Sequence, residues 1–140
     1  MSNRTTITVN SVGHPVAGLL DTALRLTHRR SWIHDQLRRI ILKSAVRDTF
    51  LHFAAEYPTW TACLFDEHFL THRAAPLLAC YIRSDIRPTA LELATAWHEQ
   101  FGPASMTIRS QRVAQFLPAA EYFLQRLEAE LSRYSLFTSK

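Results

Sequence analysis

Glycine is scarce in this sequence of 140 residues, which contains only Gly13, Gly18 and Gly102. So few glycines exclude a glycine-rich phosphate-binding loop and a dinucleotide-binding fingerprint, because both motifs need several closely spaced glycines. They also argue against an all-β fold with many tight turns. The sequence motifs of serine hydrolases, zinc proteases, dithiol oxidoreductases and kinases are missing as well. We therefore predict a protein that is not an enzyme and that has no cofactor.

Cysteine and long apolar runs are also in short supply. The two cysteines are Cys63 and Cys80, and no apolar stretch approaches the roughly 18 residues of a membrane-spanning helix. The first residues, including Arg4, do not resemble a secretory signal. We expect reduced, mostly buried thiols in a cytoplasmic protein that does not enter a membrane.

The charge of the chain is modest but unevenly distributed. The formal net charge is +4, with apolar residues at 47% and charged residues at 20%, a composition that supports one folded core. Residues 1–47 carry eight cations and two acids, which is +6, whereas residues 48–140 carry eight cations and ten acids, which is −2. This asymmetry favours a surface that binds nucleic acid or an acidic protein.

Helical periodicity dominates the chain, and prolines divide it. Apolar residues recur at helical spacing in segments that begin near residues 15, 31, 59, 77, 89, 105 and 118. Ser31 is the predicted N-cap of the second helix, and Pro118 is expected to start or bend the last one. The sequence predicts an all-α fold, an irregular orthogonal bundle of five to seven helices. We expect a flexible tail over 1–13, one helical domain over 14–134 and a frayed end over 135–140.

One predicted helix carries a row of cations. Arg39, Lys43 and Arg47 are spaced four residues apart, with Arg38 beside them. Like charges at this spacing destabilise a helix slightly, so their presence favours contact with a polyanion or with water. Phosphate contact through these side chains would be largely independent of nucleic-acid sequence.

A second basic segment follows the Gly102–Pro103 turn. A T-x-x-E capping box at Thr89 begins the helix before the turn, and the helix after it presents polar and cationic residues, namely Thr107, Arg109, Ser110 and Arg112. This layout looks like a helix-turn-helix. Over about 30 residues it also resembles the core-binding domain of tyrosine recombinases, with a Trp-bearing helix, a turn and a T-x-R-x-x-R helix. The resemblance implies DNA contact by Arg109 and Arg112.

An alternative prediction concerns metal. His52 and Glu56 form an H-x-x-x-E pair, and His68 and His72 form an H-x-x-x-H pair, spacings that place two ligands on one helix face. The order of these residues resembles the hemerythrin-like (HHE) family of helical di-iron proteins. The resemblance implies iron ligands at His28, His52, Glu56, His68, His72 and His98.

A protein partner is the remaining alternative. The last predicted helix repeats apolar residues at helical spacing, and they would suit a homodimer seam or an adaptor surface: Leu117, Leu124, Leu131 and Tyr134. The sequence thus predicts a helical binding module for nucleic acid or an acidic protein surface, with these two alternatives left open. Such a module would also fit a small subunit of a larger complex.

Overall fold

The computed structural model describes the backbone of residues 15–83 and 86–138, and the side chains of residues 32–83 and 86–137. Every regular element in these ranges is a helix, which confirms the all-α prediction. The elements in chain order are α1 Pro15–Glu56, α2 Pro58–Thr61, α3 Glu67–Thr71, α4 Ala75–Leu78, α5 Cys80–Arg83, α6 Ala90–His98, a 3-10 turn Glu99–Phe101, α7 Met106–Leu131 and α8 Ser135–Thr138. The predicted flexible tail lies outside the described residues.

Helix α1 does not break at Ser31, so the predicted boundary between two helices is wrong. The physical reason is that no glycine or proline occurs between Gly18 and the end of α1, so nothing interrupts the backbone hydrogen bonds.

The chain divides into two units, Met1–Leu37 and Arg38–Lys140. In the first unit, the described apolar side chains Trp32, Ile33 and Leu37 are exposed.

The helix predicted over 59–72 is two short helices, α2 and α3. Leu64 between them has φ +68°, the left-handed region that an L-residue adopts at a cost. Two side chains, one from α6 and one from the 3-10 turn, stabilise the backbone here. Trp97 Nε1 donates to the Cys63 carbonyl at 2.7 Å, and Gln100 Nε2 donates to the Leu64 carbonyl at 3.0 Å. Asp66 then caps α3 by accepting from the Phe69 N–H at 2.9 Å.

Pro118 lies inside one long helix, α7, rather than at a boundary between two. Proline removes one backbone hydrogen bond from a helix interior and clashes with the carbonyl four residues earlier. Both Pro118 and Ala114 are exposed, so this clash falls on the solvent side, where a helix bends most easily. The flanking turns stay in register because each has buried residues, including Phe116 and Ala120.

An aromatic core joins α1, α7 and the short helices within Arg38–Lys140. Phe65 is fully buried, and its ring centroid lies 4.7 Å from that of Phe53 on α1. The Phe65 ring also contacts three further buried phenylalanines, Phe69 at 5.3 Å, Phe116 at 5.1 Å and Phe123 at 5.3 Å. Packed aromatic rings of this kind supply much of the apolar area that a small core buries.

The end of the described chain forms the short helix α8. Arg38 holds this end: its Nε donates to the Leu136 carbonyl at 3.2 Å, and its guanidinium lies 5.7 Å from the centre of the Phe137 ring.

The cysteines are both free, but Cys63 is exposed and Cys80 is half-buried, so the expectation of mostly buried thiols is wrong. In the described part of the chain, every helix is too short or too polar to cross a membrane.

Candidate nucleic-acid interface

The segment from α6 to α7 has well-defined helix ends. Thr89 and Glu92 form the predicted capping box: the Thr89 N–H donates to Glu92 Oε1 at 2.9 Å, and the Glu92 N–H donates to Thr89 Oγ1 at 3.1 Å. Gly102 reverses the chain after the 3-10 turn with φ +81°, a conformation that favours glycine. Ser105 caps α7 by accepting from the Ile108 N–H at 3.2 Å.

Helices α6 and α7 pack through aromatic rings. The Trp97 ring stacks on the Phe116 ring with their centroids 4.6 Å apart, and the Trp60 ring meets Phe116 at 4.9 Å. The first buried residue of α7 is Val113. Residues 101–112, which we call the α7 tip, are exposed except for the half-buried Arg109. The side chains on the first two turns of α7 are thus mostly exposed, and the helix contributes to the core from Val113 onward.

Two cations lie on the α7 tip with different partners. Arg109 Nη2 lies 3.8 Å from Glu99 Oε2, an ion pair at the outer limit of contact between partly exposed side chains. Such exposed pairs contribute little, with typical values of about 0.2–1 kcal/mol. The Arg112 guanidinium lies 5.7 Å from the centre of the Phe101 ring, within cation–π range. Both cations therefore remain near the surface, where an anion can reach them.

A buried histidine lies beneath these cations. His98 at the end of α6 is 1% exposed, and both of its ring nitrogens lack a hydrogen-bond partner among the described residues. Burial lowers the pKa of His98, and the positive charges of Arg109 and Arg112 lower it further, while Glu99 acts in the opposite direction. The neutral histidine thus adds no charge to the tip.

The predicted basic residues of α1 do not all serve one surface. Arg38 is engaged within the chain, since its Nη1 donates to the Ile82 carbonyl on α5 at 3.4 Å in addition to its contacts with Leu136 and Phe137. Arg39, Lys43 and Arg47, which we call the α1 basic set, are exposed. These three exposed cations of α1 form a second surface where a polyanion can bind.

The α7 tip and the α1 basic set lie far apart. Helices α1 and α7 run antiparallel, because Tyr57 contacts Tyr122 at 5.3 Å between ring centroids whereas Arg38 reaches the chain beyond α7. Arg47 lies ten residues before Tyr57, and Arg112 lies ten residues before Tyr122, on opposite sides of that contact. At 1.5 Å per helical residue, the two sets are separated by about 30 Å along the helix axes. The structure does not combine them into one patch.

The structure brings together only part of the predicted metal set. The His68 and His72 rings stack with their centroids 4.1 Å apart, as their spacing predicts. Exposed His52 contacts the Asp48 carbonyl through Nδ1 at 3.0 Å. Within the described ranges, no three His, Cys, Asp or Glu side chains are grouped to hold an ion, so His52 and Glu56 do not join the histidine pair. The side chain of His28 lies outside those ranges.

The predicted homodimer seam on α7 is largely internal. Leu124 and Leu131 are buried in the core, and Leu117 packs against it, whereas Tyr134 is exposed. These leucines pack against other residues of the same chain, so they do not form an exposed apolar surface.

Two residues of the α7 tip region were not predicted from the sequence as part of a basic site. Glu99 pairs with Arg109, and Phe101 supports Arg112. A signal for both was present, because an acid and an aromatic residue lie within the three residues that precede the glycine at the turn. Comparison of the chain with protein-family models, with characterised proteins and with solved structures gives no significant match.

Proposed function

We propose that the protein is a non-enzymatic helical module that binds nucleic acid through the α7 tip. The observation that carries this proposal is the exposure of the side chains on the first two turns of α7, which include exposed Arg112 and half-buried Arg109. Exposed Thr107 and Ser110 supply hydroxyl groups on the same turns. A capped helix that projects such side chains is the geometry by which helix-turn-helix proteins enter a groove.

The two cations of the tip are enough for nucleic-acid binding of modest affinity and modest salt dependence. Each phosphate that a cation neutralises releases counterions, so two contacts give a slope near −2 for the logarithm of affinity against the logarithm of salt concentration. Arg109 must exchange its ion pair with Glu99 for a phosphate, which costs little because that pair is long and partly exposed. The cation–π contact with Phe101 holds Arg112 in place before binding.

The α1 basic set is a second candidate surface within the same proposal. A separation of about 30 Å is close to the length of one turn of duplex, about 34 Å, so both sets can reach one long polymer. The set also suits an acidic protein partner. A cytoplasmic location belongs to this proposal too, supported by the free thiols of Cys63 and Cys80.

The test is fluorescence anisotropy with labelled DNA and RNA at 50–200 mM salt, an interval over which about six phosphate contacts would change affinity about 10³-fold and two contacts far less. Three double variants remove equal charge: Arg109→Ala with Arg112→Ala at the tip, Lys43→Ala with Arg47→Ala on α1, and Arg73→Ala with Arg83→Ala as the control. We expect the tip variant to weaken binding and to lower the salt slope by about 1–2, since each phosphate contact that it removes contributes about 0.7–0.9.

Three results would contradict the assignment. If neither polymer binds at 50 mM salt, the protein is not a nucleic-acid binder. If the three double variants weaken binding equally, the effect reflects net charge and not the α7 tip. A loss of affinity confined to the double variant at Lys43 and Arg47 would place the interface on α1 instead of the α7 tip.

A further inference from the structure

The α7 tip exposes large apolar side chains beside its cations. Met106 is 78% exposed, Ile108 44% and Phe101 40%. Ile108 and Arg112 are four residues apart on α7 and are therefore neighbours on its surface. Phe101, Arg112 and Ile108 thus form one continuous surface that alternates apolar and positive groups.

Rigid packing supports this surface from below. The edge of the Phe101 ring meets Trp97 at 5.1 Å with an interplanar angle of 73°, and Trp97 is itself buried and stacked on Phe116. Phe101 is therefore fixed by the core while part of its ring remains open to solvent. The Arg112 guanidinium lies over that ring and adds a second planar group on which a base can stack.

This combination matches the chemistry of an unpaired base with its phosphate. In a duplex the faces of the bases are stacked inside, and a protein meets only phosphates and groove edges. A single strand exposes base faces, which stack on aromatic rings and on guanidinium planes while basic side chains follow the phosphates. The excess positive charge of the tip complements the strand.

We propose that the α7 tip binds single-stranded nucleic acid, stacking a base on Phe101 and Arg112 while Arg109 contacts a neighbouring phosphate. This inference rests on the proposed function and names the form of nucleic acid that the same site takes.

The experiment compares a labelled single-stranded 20-mer with the same sequence as a duplex, measured by anisotropy at 150 mM salt. We expect the single strand to bind at least about tenfold more tightly. Phe101→Leu keeps an apolar side chain but removes the ring, and should weaken single-strand binding by about 5- to 150-fold, since stacking contributes about 1–3 kcal/mol per base. Phe101→Tyr keeps the ring and should bind like the wild type.

Two further measurements separate stacking from a general loss of structure. A strand with 2-aminopurine at a central position should change its fluorescence on binding to the wild type and to Phe101→Tyr, and much less on binding to Phe101→Leu. Ile86→Ala removes an exposed apolar side chain elsewhere and should leave affinity unchanged. Circular dichroism checks that each variant is folded.

The outcomes distinguish this inference from the proposed function. Duplex binding that equals or exceeds single-strand binding and depends on Arg109 and Arg112 overturns the single-strand inference alone. An unchanged affinity of Phe101→Leu for the single strand overturns it as well. Absence of binding to either form overturns both proposals, and binding of an acidic, aromatic peptide in their place assigns the tip to a protein partner.

Discussion

Among the described residues, His98 lies in an environment that departs from what its chemistry prefers. An imidazole with two unpartnered buried nitrogens carries a desolvation cost of the kind that buried polar groups usually offset with hydrogen bonds. Remaining neutral reduces that cost, and the nearby arginines favour the same state. His98 therefore links the packing of α6 to the charges that lie on the α7 tip.

The lowered pKa of His98 predicts how stability depends on pH. Above pH of about 6.5, histidine is neutral in the folded and the unfolded chain alike. As the pH falls below that value, the unfolded chain binds a proton that folded His98 does not, so the free energy of unfolding decreases. The decrease levels off once the pH is below the pKa of the folded state.

Urea unfolding between pH 5 and pH 7.5 measures this effect. The informative quantity is the difference between the wild type and His98→Leu. We expect the variant to lose less stability on acidification, whereas His52→Ala, at an exposed site, should follow the wild type. Parallel pH profiles for the wild type and His98→Leu would rule out the buried histidine as the cause.

At the scale of elements, the capping box of α6 is a defined stabilising contact. Thr89→Ala removes the oxygen that accepts from the Glu92 N–H and should lower the free energy of unfolding by about 1 kcal/mol. Thr89→Ser keeps that oxygen and should stay close to the wild type. Denaturant titration of the three proteins gives the comparison, and equal losses for serine and alanine would attribute the effect to the lost methyl group.

The helix ends that the sequence predicted correctly are those made by local chemistry. Thr89, Gly102 and Ser105 all act through groups within a few residues along the chain. The error at the 59–72 segment arose because distant residues decide where its helices end. The break at Leu64 depends on hydrogen bonds from Trp97 and Gln100, which lie 34 and 36 residues further along the chain.

At the scale of the whole molecule, Phe65 holds the aromatic core together, because its ring meets rings from α1, α3 and α7. Phe65→Ala should lower the free energy of unfolding by about 3–5 kcal/mol, through lost burial and the cavity left behind. That is a large share of the roughly 5–15 kcal/mol that stabilises a typical domain. Phe65→Leu keeps most of the volume and should cost much less.

Thermal and denaturant unfolding measure this pair of variants. Leu51→Ala, at an exposed position of α1, is the matched control and should change stability by no more than about 0.5 kcal/mol. A loss for Phe65→Ala no larger than that of the control would show that the core does not depend on this ring.

The sequence predicted which cations belong to the candidate site, but not which of them are exposed or how far apart they lie. Counting charges along α1 and after Gly102 identified the cations, because their spacing is local. Their availability was not predictable: Arg38 is engaged by carbonyls 98 and 44 residues away, whereas Arg47 is exposed on the same helix. The separation of the two basic sets follows from the antiparallel packing of α1 and α7, which no local pattern contains.

The contact between Trp60 and Trp97 has a spectroscopic consequence. Their rings lie 5.4 Å apart with an interplanar angle of 89°, one on α2 and the other on α6. Indoles this close couple their electronic transitions, so their circular dichroism in the ultraviolet carries a signal that single, isolated tryptophans do not produce. Because Trp97 also supports Phe101, the molecule carries an unlabelled optical reporter of order at the base of the α7 tip.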